Sequence, residues 1–326
     1  MPLEILALTK QLSFYSGCIL FFLGLIGNTI NILVFTQVKL LRNDRSAFYL
    51  TVEAFSNLLY EFINITSTVL TLIYGNDGTE RFLIWCKLRY SLSQLSVLTT
   101  YYMISCCAGD QFFSTNYHFN VRYMCTMRLA RYITVILICL WIVHSIVFGV
   151  FFQIQPMIGC IIINQIYLQY ATFFIYPVLA GLLPITLAIF FSFFAYRNVR
   201  RIVRRQRSIA RQFSRQMTAM VLIRVILFVC LASPYSFFRI YIINYPISRE
   251  QRTEYAIRQL LQILFLISIN LNYTMNFYVF MITSARFRRQ VKFILVKKCW
   301  KRWKHCCCSK TNRIIPKDVD LDAGYT

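Results

Sequence analysis

Some ionisable side chains of this 326-residue chain lie inside long apolar stretches, where an unpaired charge is costly. They include Glu53, Glu61, Asp110, Arg224 and Arg239. Groups of this kind can pair with each other, hold polar neighbours or bind a ligand. The sequence shows no nucleophile with a neighbouring base, no phosphate-binding loop and no Cys/His spacing of a metal site. It therefore predicts no enzyme, no metal centre and no bound cofactor.

Seven apolar runs carry these residues, and each exceeds the roughly 20 residues that a helix needs to cross a membrane. The runs are 12–38, 47–74, 83–115, 129–152, 167–196, 217–245 and 256–283. Hydrophobic residues make up 58% of the chain and charged residues 14%. This composition provides too little polar surface to cover a soluble protein of this length. The predicted fold class is an all-α membrane protein, a seven-transmembrane helix bundle formed by residues 1–300. Residues 301–326 form a tail.

Positive charge alternates between the segments that connect the runs. Segments 39–45, 116–131, 197–215 and 284–326 hold 26 of the 35 Lys and Arg residues. The positive-inside rule therefore places the N-terminus outside and the C-terminus in the cytoplasm. The net charge of +23 does not indicate nucleic acid, because anionic membrane lipids are the natural partners of basic residues beside helix ends.

An amphipathic helix, 284–298, is expected to follow the last run. Phe287, Val291, Ile294 and Leu295 recur at helical spacing, with Arg288, Arg289 and Lys292 on the other side. Such a helix would lie in the membrane interface and bring nearby cysteines to the lipid. Cys299, Cys306, Cys307 and Cys308 are therefore candidate acylation sites, the alternative being free thiols.

Several characteristic residues lie at defined positions in these runs and, for Cys160, in the segment after the fourth run. They are Asn28, Asn57, Cys86, Asp110, Trp141, Cys160, Pro184, Pro234 and Asn276. In this order and on these sides, residues 12–298 resemble the rhodopsin-like G-protein-coupled receptors, and look most like invertebrate orphan receptors near the neuropeptide group. The resemblance implies a plasma-membrane receptor that binds an extracellular ligand and activates a heterotrimeric G protein. It also implies a disulfide between Cys86 and Cys160, the alternative being two free thiols.

The chain departs from the family pattern at its switches. Asn57 stands where the family has Asp, Asp110-Gln111-Phe112 replaces Asp-Arg-Tyr, and Ala232 replaces a Trp. The seventh-helix Asn-Pro-x-x-Tyr appears as Asn276-Phe277-Tyr278-Val279-Phe280. Gln111 can hydrogen-bond to backbone carbonyls but carries no charge. Two readings stay open: coupling survives with Gln as a neutral substitute, or the receptor is weakly coupled.

Residues expected at the switch and G-protein face are Asp110, Gln111, Phe112, Glu53, Arg224, Asn276, Phe280 and Arg286. Glu53 and Arg224 are hypothesised to form a buried pair. The alternative is that Arg224 extends to the membrane interface while Glu53 bonds to neighbouring polar residues. Asn28, Asn57, Asn272 and Asn276 are expected to form one polar cluster of interhelical hydrogen bonds. Without a fixed negative charge there, we expect no sodium site.

The ligand pocket is predicted from polar and aromatic residues in the outer halves of the runs. These are Glu61, Arg89, Ser93, Gln94, Tyr235, Phe238, Arg239, Arg258 and Gln262. Monoamine receptors carry an Asp at the level of Ser93 and Gln94, so an aminergic ligand is not expected. Several Arg with aromatic walls favour a peptide or an anionic small molecule. Arg89 and Arg258 have a second reading, as caps of the membrane edge.

Two functions from other classes remain. A non-signalling decoy or scaffold receptor fits the altered switches. A transporter fits less well, because no internal repeat and no line of charges across the midplane is visible.

Overall fold

The computed structural model describes residues 2–74, 78–116, 119–155, 159–203, 209–245 and 252–299. The main helices are α1 (Pro2–Gln37), α3 (Arg45–Tyr74), α4 (Leu83–Ser114), α6 (Met127–Val150), α8 (Leu183–Val203), α9 (Ile209–Asn244) and α10 (Arg252–Thr274). Shorter helices are α2 (Lys39–Arg42), α5 (Phe119–Met124), α7 (Gln165–Tyr170), α11 (Asn276–Thr283) and α12 (Ala285–Lys292). Two π-helical segments, Ala171–Leu182 and Phe293–Cys299, continue α7 into α8 and extend α12.

Four described helices are long and apolar enough to cross a membrane. They are Pro2–Gln37, Met127–Val150, Gln165–Arg201 and Gln216–Ile242. A fifth results if α10 and α11, which meet at a bend of 55°, count as one broken span. This architecture fits an all-α membrane protein. Helices α3 and α4 are 30 and 32 residues long but fall outside this apolar group.

The polarity of α3 and α4 follows from their central position. Helix α4 packs against α3, α6, α8 and α9, and α3 packs against α1, α4 and α10. Polar side chains such as Glu53, Thr100 and Ser105 are thus buried against protein. Interhelical hydrogen bonds satisfy such residues where neighbouring helices replace lipid.

Element boundaries differ from the predicted runs mainly at two places. Helix α1 begins at Pro2, ten residues earlier than expected, and carries Thr9 and Ser13 in its first turns. The chain from Gln165 to Val203 is one continuous helix, in spite of Pro177 and Pro184. Pro177 lacks an amide hydrogen, and the π-helical geometry of its segment accommodates the missing hydrogen bond.

One end of the bundle carries a hairpin and a disulfide. Strands β1 (Phe152–Gln155) and β2 (Gly159–Ile162) pair antiparallel. The structure contains the disulfide between Cys86 on α4 and Cys160 on β2. Phe152 stacks on Tyr90, with ring centroids 4.0 Å apart. We call this the disulfide end, and the opposite end, where α4 finishes near Asp110, the Asp110 end.

Helix α12 packs back on the bundle at the Asp110 end. Phe287 lies against Phe35, Phe277 and Phe280, and Val291 and Ile294 are also buried. The amphipathic character predicted for 284–298 is confirmed for these three residues. Leu295, predicted on the same apolar face, is 42% exposed and takes no part in this packing.

We expect loss of the disulfide to destabilise the disulfide end. Cys86→Ser with Cys160→Ser should lower the free energy of unfolding by about 2–4 kcal/mol, because the bridge closes a long loop. Thermal unfolding in detergent, with and without reductant, measures this. Reductant should lower the melting temperature of the wild type and of a Cys18→Ser control, and leave the double variant unchanged. An equal response of all three proteins would contradict the prediction.

Candidate functional site

A cavity of about 500 Å³ opens between α1, α3 and α10. This volume lies within the range of small-ligand pockets. Hydroxyl and amide side chains from all three helices line it, together with apolar ones such as Phe14, Leu20 and Ile263. The polar lining comprises Thr9, Ser13, Ser16, Asn64, Ser67, Thr68, Thr71, Gln259, Gln262, Asn270 and Thr274.

Glu61 is the acidic residue among the lining side chains, and it is 6% exposed. Its Oε1 accepts hydrogen bonds from Asn28 Nδ2 at 3.4 Å and from Thr274 Oγ1 at 3.3 Å. Its Oε2 has no hydrogen-bond partner among the residues that the structure describes. Gly24 of α1 makes room for this side chain, because a Cβ there would collide with the Glu61 carboxylate. Glu61 therefore brings a carboxylate to the wall of the cavity.

The pocket predicted from sequence is only partly assembled. Glu61, Arg89 and Gln262 line the cavity, as expected for one site. Six other predicted residues are absent from its lining: Ser93, Gln94, Tyr235, Phe238, Arg239 and Arg258. The structure therefore does not place these six in the lining of the cavity that contains Glu61. The cavity lies among α1, α3 and α10, whereas most of these residues come from α4 and α9.

The residues of α9 instead pack towards the π-helical segment before α8. The Arg239 guanidinium lies over the Tyr176 ring, 5.5 Å from its centroid, and Phe238 packs on Phe265 at 4.6 Å. Tyr235 is half-buried on the same helix. Arg239 thus contacts an aromatic surface that the three-helix cavity does not include.

Three further members of the predicted pocket, Arg258, Gln94 and Ser93, contact protein outside the cavity or are at least partly buried in α4. Arg258 donates to the carbonyls of Tyr245 and Ile242, at 2.8 and 3.2 Å, and so caps the end of α9. Gln94 is buried, with its Nε2 unpaired in the described ranges, and Ser93 is half-buried beside it on α4.

The polar cluster predicted from four asparagines divides into two. Asn57 Nδ2 donates to Asn28 Oδ1, and Asn57 Oδ1 accepts from Thr100 Oγ1 at 2.9 Å. Asn272 and Asn276 lie apart from this group, on a face of α10 and α11 that meets α9. The single cluster is therefore wrong, because Asn272 and Asn276 bond to Arg224 and Glu53, whereas Asn28 bonds to Asn57 and Glu61. The expectation of no sodium site was based on the absence of an acid near these asparagines. That premise is wrong, because Asn28 Nδ2 donates to the Glu61 carboxylate.

Glu53 and Arg224 form the second cluster, and their hypothesised pair is present. Arg224 Nε lies 2.8 Å and Nη2 2.7 Å from Glu53 Oε1, and both side chains are 1% exposed. The Nε contact is a directed hydrogen bond, whereas the Nη2 contact is electrostatic only. Arg224 Nη1 donates to Asn272 Oδ1 at 2.7 Å, and Asn276 Nδ2 donates to Glu53 Oε1 at 2.6 Å. The pair thus ties α3 to α9, α10 and α11.

At the Asp110 end, Gln111 links α4 to two other helices. Its Oε1 accepts from Thr218 Oγ1 of α9 at 2.7 Å, and its Nε2 donates to Ser46 Oγ of α3 at 2.6 Å. Ser46 Oγ in turn donates to Asp110 Oδ2 at 3.0 Å. These partners are side-chain hydroxyls rather than backbone carbonyls. Two hydroxyls lie within its reach because α3 and α9 approach α4 here.

Asp110 has a cationic partner that the sequence reading missed. Arg45 Nε donates to Asp110 Oδ1 at 2.6 Å, and Arg45 Nη1 donates to the Cys125 carbonyl at 2.7 Å. The preceding residue, Asp44, accepts from the Ala47 amide at 3.0 Å. Burial raises the pKa of the Asp44 carboxyl, and this amide hydrogen bond opposes the shift. Arg45 thereby takes the place beside Asp110 that its sequence neighbour Gln111 cannot fill.

The remaining switch residues close this end of the bundle. Arg286 lines a cavity of about 10 Å³ with Gln216, Met217 and Met220, which leaves room for about one water molecule. Phe280 packs on Phe35 and Phe287. Phe112 packs on Phe191 and Phe194, between α4 and α8. The helix ends are therefore in close contact.

Some predicted residues lie at or beyond the limits of the description. Cys306, Cys307 and Cys308 lie outside the described residues, as does the tail 301–326. Cys299 ends the last π-helical segment. Arg197, Arg200 and Arg201 are exposed at the end of α8, and Arg197 lies over the Phe193 ring.

Sequence reasoning missed the contribution of α1 to the cavity. Thr9, Ser13, Ser16, Gly17 and Leu20 all line it. Their spacing of three and four residues marks one helix face, and that signal was available in the sequence.

We expect removal of either partner of the buried pair to destabilise the protein strongly. Arg224→Met should lower the free energy of unfolding by about 3–5 kcal/mol, because it leaves Glu53 charged and buried without its cation. Glu53→Gln in the Arg224→Met background should recover part of that loss. Chemical unfolding in detergent micelles measures Arg224→Met, Glu53→Gln and the double variant. Arg201→Met, at an exposed position, serves as control and should change stability by less than about 1 kcal/mol. Additive effects of the two buried substitutions would contradict a coupled pair.

Comparisons with known proteins identify no relative of this chain. The sequence matches no protein-family model, and no curated protein matches it either. The cavity, the two buried clusters and the hydrogen-bonded Asp110 end are therefore features from which a function has to be argued directly.

Proposed function

We propose that this protein is a ligand-activated membrane receptor with seven spans that signals to a heterotrimeric G protein. The proposal counts α3 and α4 as spans, and takes α10 with α11 as one broken span. The disulfide end would face the outside and the Asp110 end the cytoplasm, in accordance with the positive-inside rule. The order of residue marks along the chain, which resembles rhodopsin-like receptors, supports the same reading.

The observation that carries the proposal is the hydrogen-bonded chain at the Asp110 end. Thr218 of α9 bonds to Gln111 of α4, which bonds to Ser46 of α3. A single hydrogen bond of this kind contributes only about 1 kcal/mol net. The link is therefore strong enough to favour one position of α9 and weak enough to be released by ligand binding elsewhere.

The buried pair gives a route by which a ligand could act on this link. The cavity is walled by α1, α3 and α10, and the Glu53–Arg224 pair joins α3, α10 and α11 to α9. A shift of α10 against α3 would therefore change the contacts of Arg224 on α9. Outward movement of α9 at the Asp110 end would open a cleft for a transducer.

The direct test is a peptide-library screen of the expressed receptor with a promiscuous G protein as readout. A concentration-dependent response, absent from cells without the receptor, is the expected result. Silence with every transducer class, from a protein shown at the cell surface, would contradict the proposal and favour a decoy receptor. Transport of substrate without G-protein activation would favour a transporter.

We expect Thr218→Val to raise ligand-independent signalling. The variant removes the hydroxyl that bonds to Gln111 and keeps the side-chain volume. A loss of about 1 kcal/mol from the resting position should increase basal nucleotide exchange by about fivefold. Nucleotide exchange on G protein added to membranes measures it.

Ser233→Ala is the matched control on the same helix. The Ser233 hydroxyl donates to the Val229 carbonyl of its own helix at 2.6 Å, so its loss should leave basal exchange unchanged. Equal basal exchange in Thr218→Val and wild type would remove the assigned role of this link.

A further inference from the structure

The cavity between α1, α3 and α10 holds one buried carboxylate that lacks a cationic partner. No Lys, Arg or His lies within ion-pair distance of Glu61 among the described residues, in contrast to Glu53. Glu61 Oε2 and Asn270 Oδ1 are both acceptors without a hydrogen-bond donor in the described ranges, and both residues line the cavity. Unsatisfied buried acceptors are costly, so a ligand that supplies donors would be stabilised here.

Positive side chains lie at the other end of the same cavity. Lys10 of α1 is exposed and lies about 21 Å from Gly24, at 1.5 Å per residue. Arg89 of α4 also lines the cavity. The Asn57–Thr100 hydrogen bond sets the register of α3 and α4, which places Arg89 about 10 Å from the level of Glu61. The cavity thus carries basic side chains towards the disulfide end and a carboxyl group at its deep end.

We infer that this cavity binds a peptide with a free amino terminus, with the ammonium group at Glu61 and an anionic group near Arg89 and Lys10. A bare small cation would meet the two basic side chains before it reached Glu61. An extended peptide spans at most about 3.5 Å per residue, so the anionic group should follow the ammonium by about three residues or more. The inference rests on the proposed function only in treating the peptide as the messenger.

The same assignment narrows the expected ligand class. The sequence favours a peptide or an anionic small molecule because several Arg are predicted to share one pocket with Glu61. Arg239 lies over Tyr176 and Arg258 caps α9, so neither lines this cavity. The charge that remains in the cavity is mixed, which selects a ligand with both signs.

Affinity selection with mixed tetrapeptides tests the inference without any signalling step. One library has free amino termini and free carboxylates, and a second is identical but N-acetylated. The full-length protein in nanodiscs should enrich members of the free library at least tenfold over both the acetylated library and empty nanodiscs. Equal enrichment of both libraries, or enrichment of neither, would overturn the inference.

Two variants locate the binding. Glu61→Gln keeps the size of the side chain but removes its charge, and should reduce enrichment of the free library at least tenfold. Glu254→Gln removes an exposed carboxylate of the first turn of α10 that does not line the cavity, and should change nothing. Unchanged enrichment by Glu61→Gln would overturn the inference, and so would an equal loss in both variants. The acetylation comparison on wild-type protein decides the question independently if Glu61→Gln does not fold.

The outcomes separate this inference from the proposed function. Enrichment of free peptides without any G-protein response would support the binding site and reject the receptor function. A G-protein response to ligands that bind equally well to the Glu61→Gln variant would support the receptor function and reject the binding site.

Discussion

Arg224 is buried to 1% exposure in the middle of an apolar helix, and Glu53 makes its charge tolerable there. A buried charge without a partner would cost several kcal/mol, so α3 and α9 have to stay in the register that keeps the two side chains together. Asn272 and Asn276 complete the cluster and add α10 and α11 to it. Four helices are therefore positioned by one ion pair and its two amide neighbours.

The two other polar regions are arranged around this cluster. Towards the disulfide end, Asn28, Asn57 and Thr100 lead to Glu61 at the wall of the cavity. Towards the Asp110 end, Gln111 connects three helices through hydroxyl groups. Helices α3 and α4 are less apolar than the other long helices because of these polar residues. The same residues connect the cavity to the opposite end of the bundle.

The sequence predicted the class of fold and part of the site. The apolar runs and the Glu53–Arg224 pair follow from patterns within the chain, because a charge in an apolar run needs a partner at a similar depth. The disulfide was implied only by the resemblance to a receptor family. The pocket was harder to predict, since depth does not fix rotation about a helix axis. Glu61 and Arg239 lie in the same half of their runs, yet one faces α1 and the other faces Tyr176. Arg45 was missed because it precedes its run and was counted only as loop charge.

The contact between Gln111 and Thr218 depends little on pH and on salt. Neither side chain titrates, so the bond that joins α4 to α9 does not depend on proton concentration. It carries no formal charge, so salt screens it far less than it would screen a surface ion pair. This link between the two helices would therefore keep the same strength across a wide range of solution conditions at the Asp110 end.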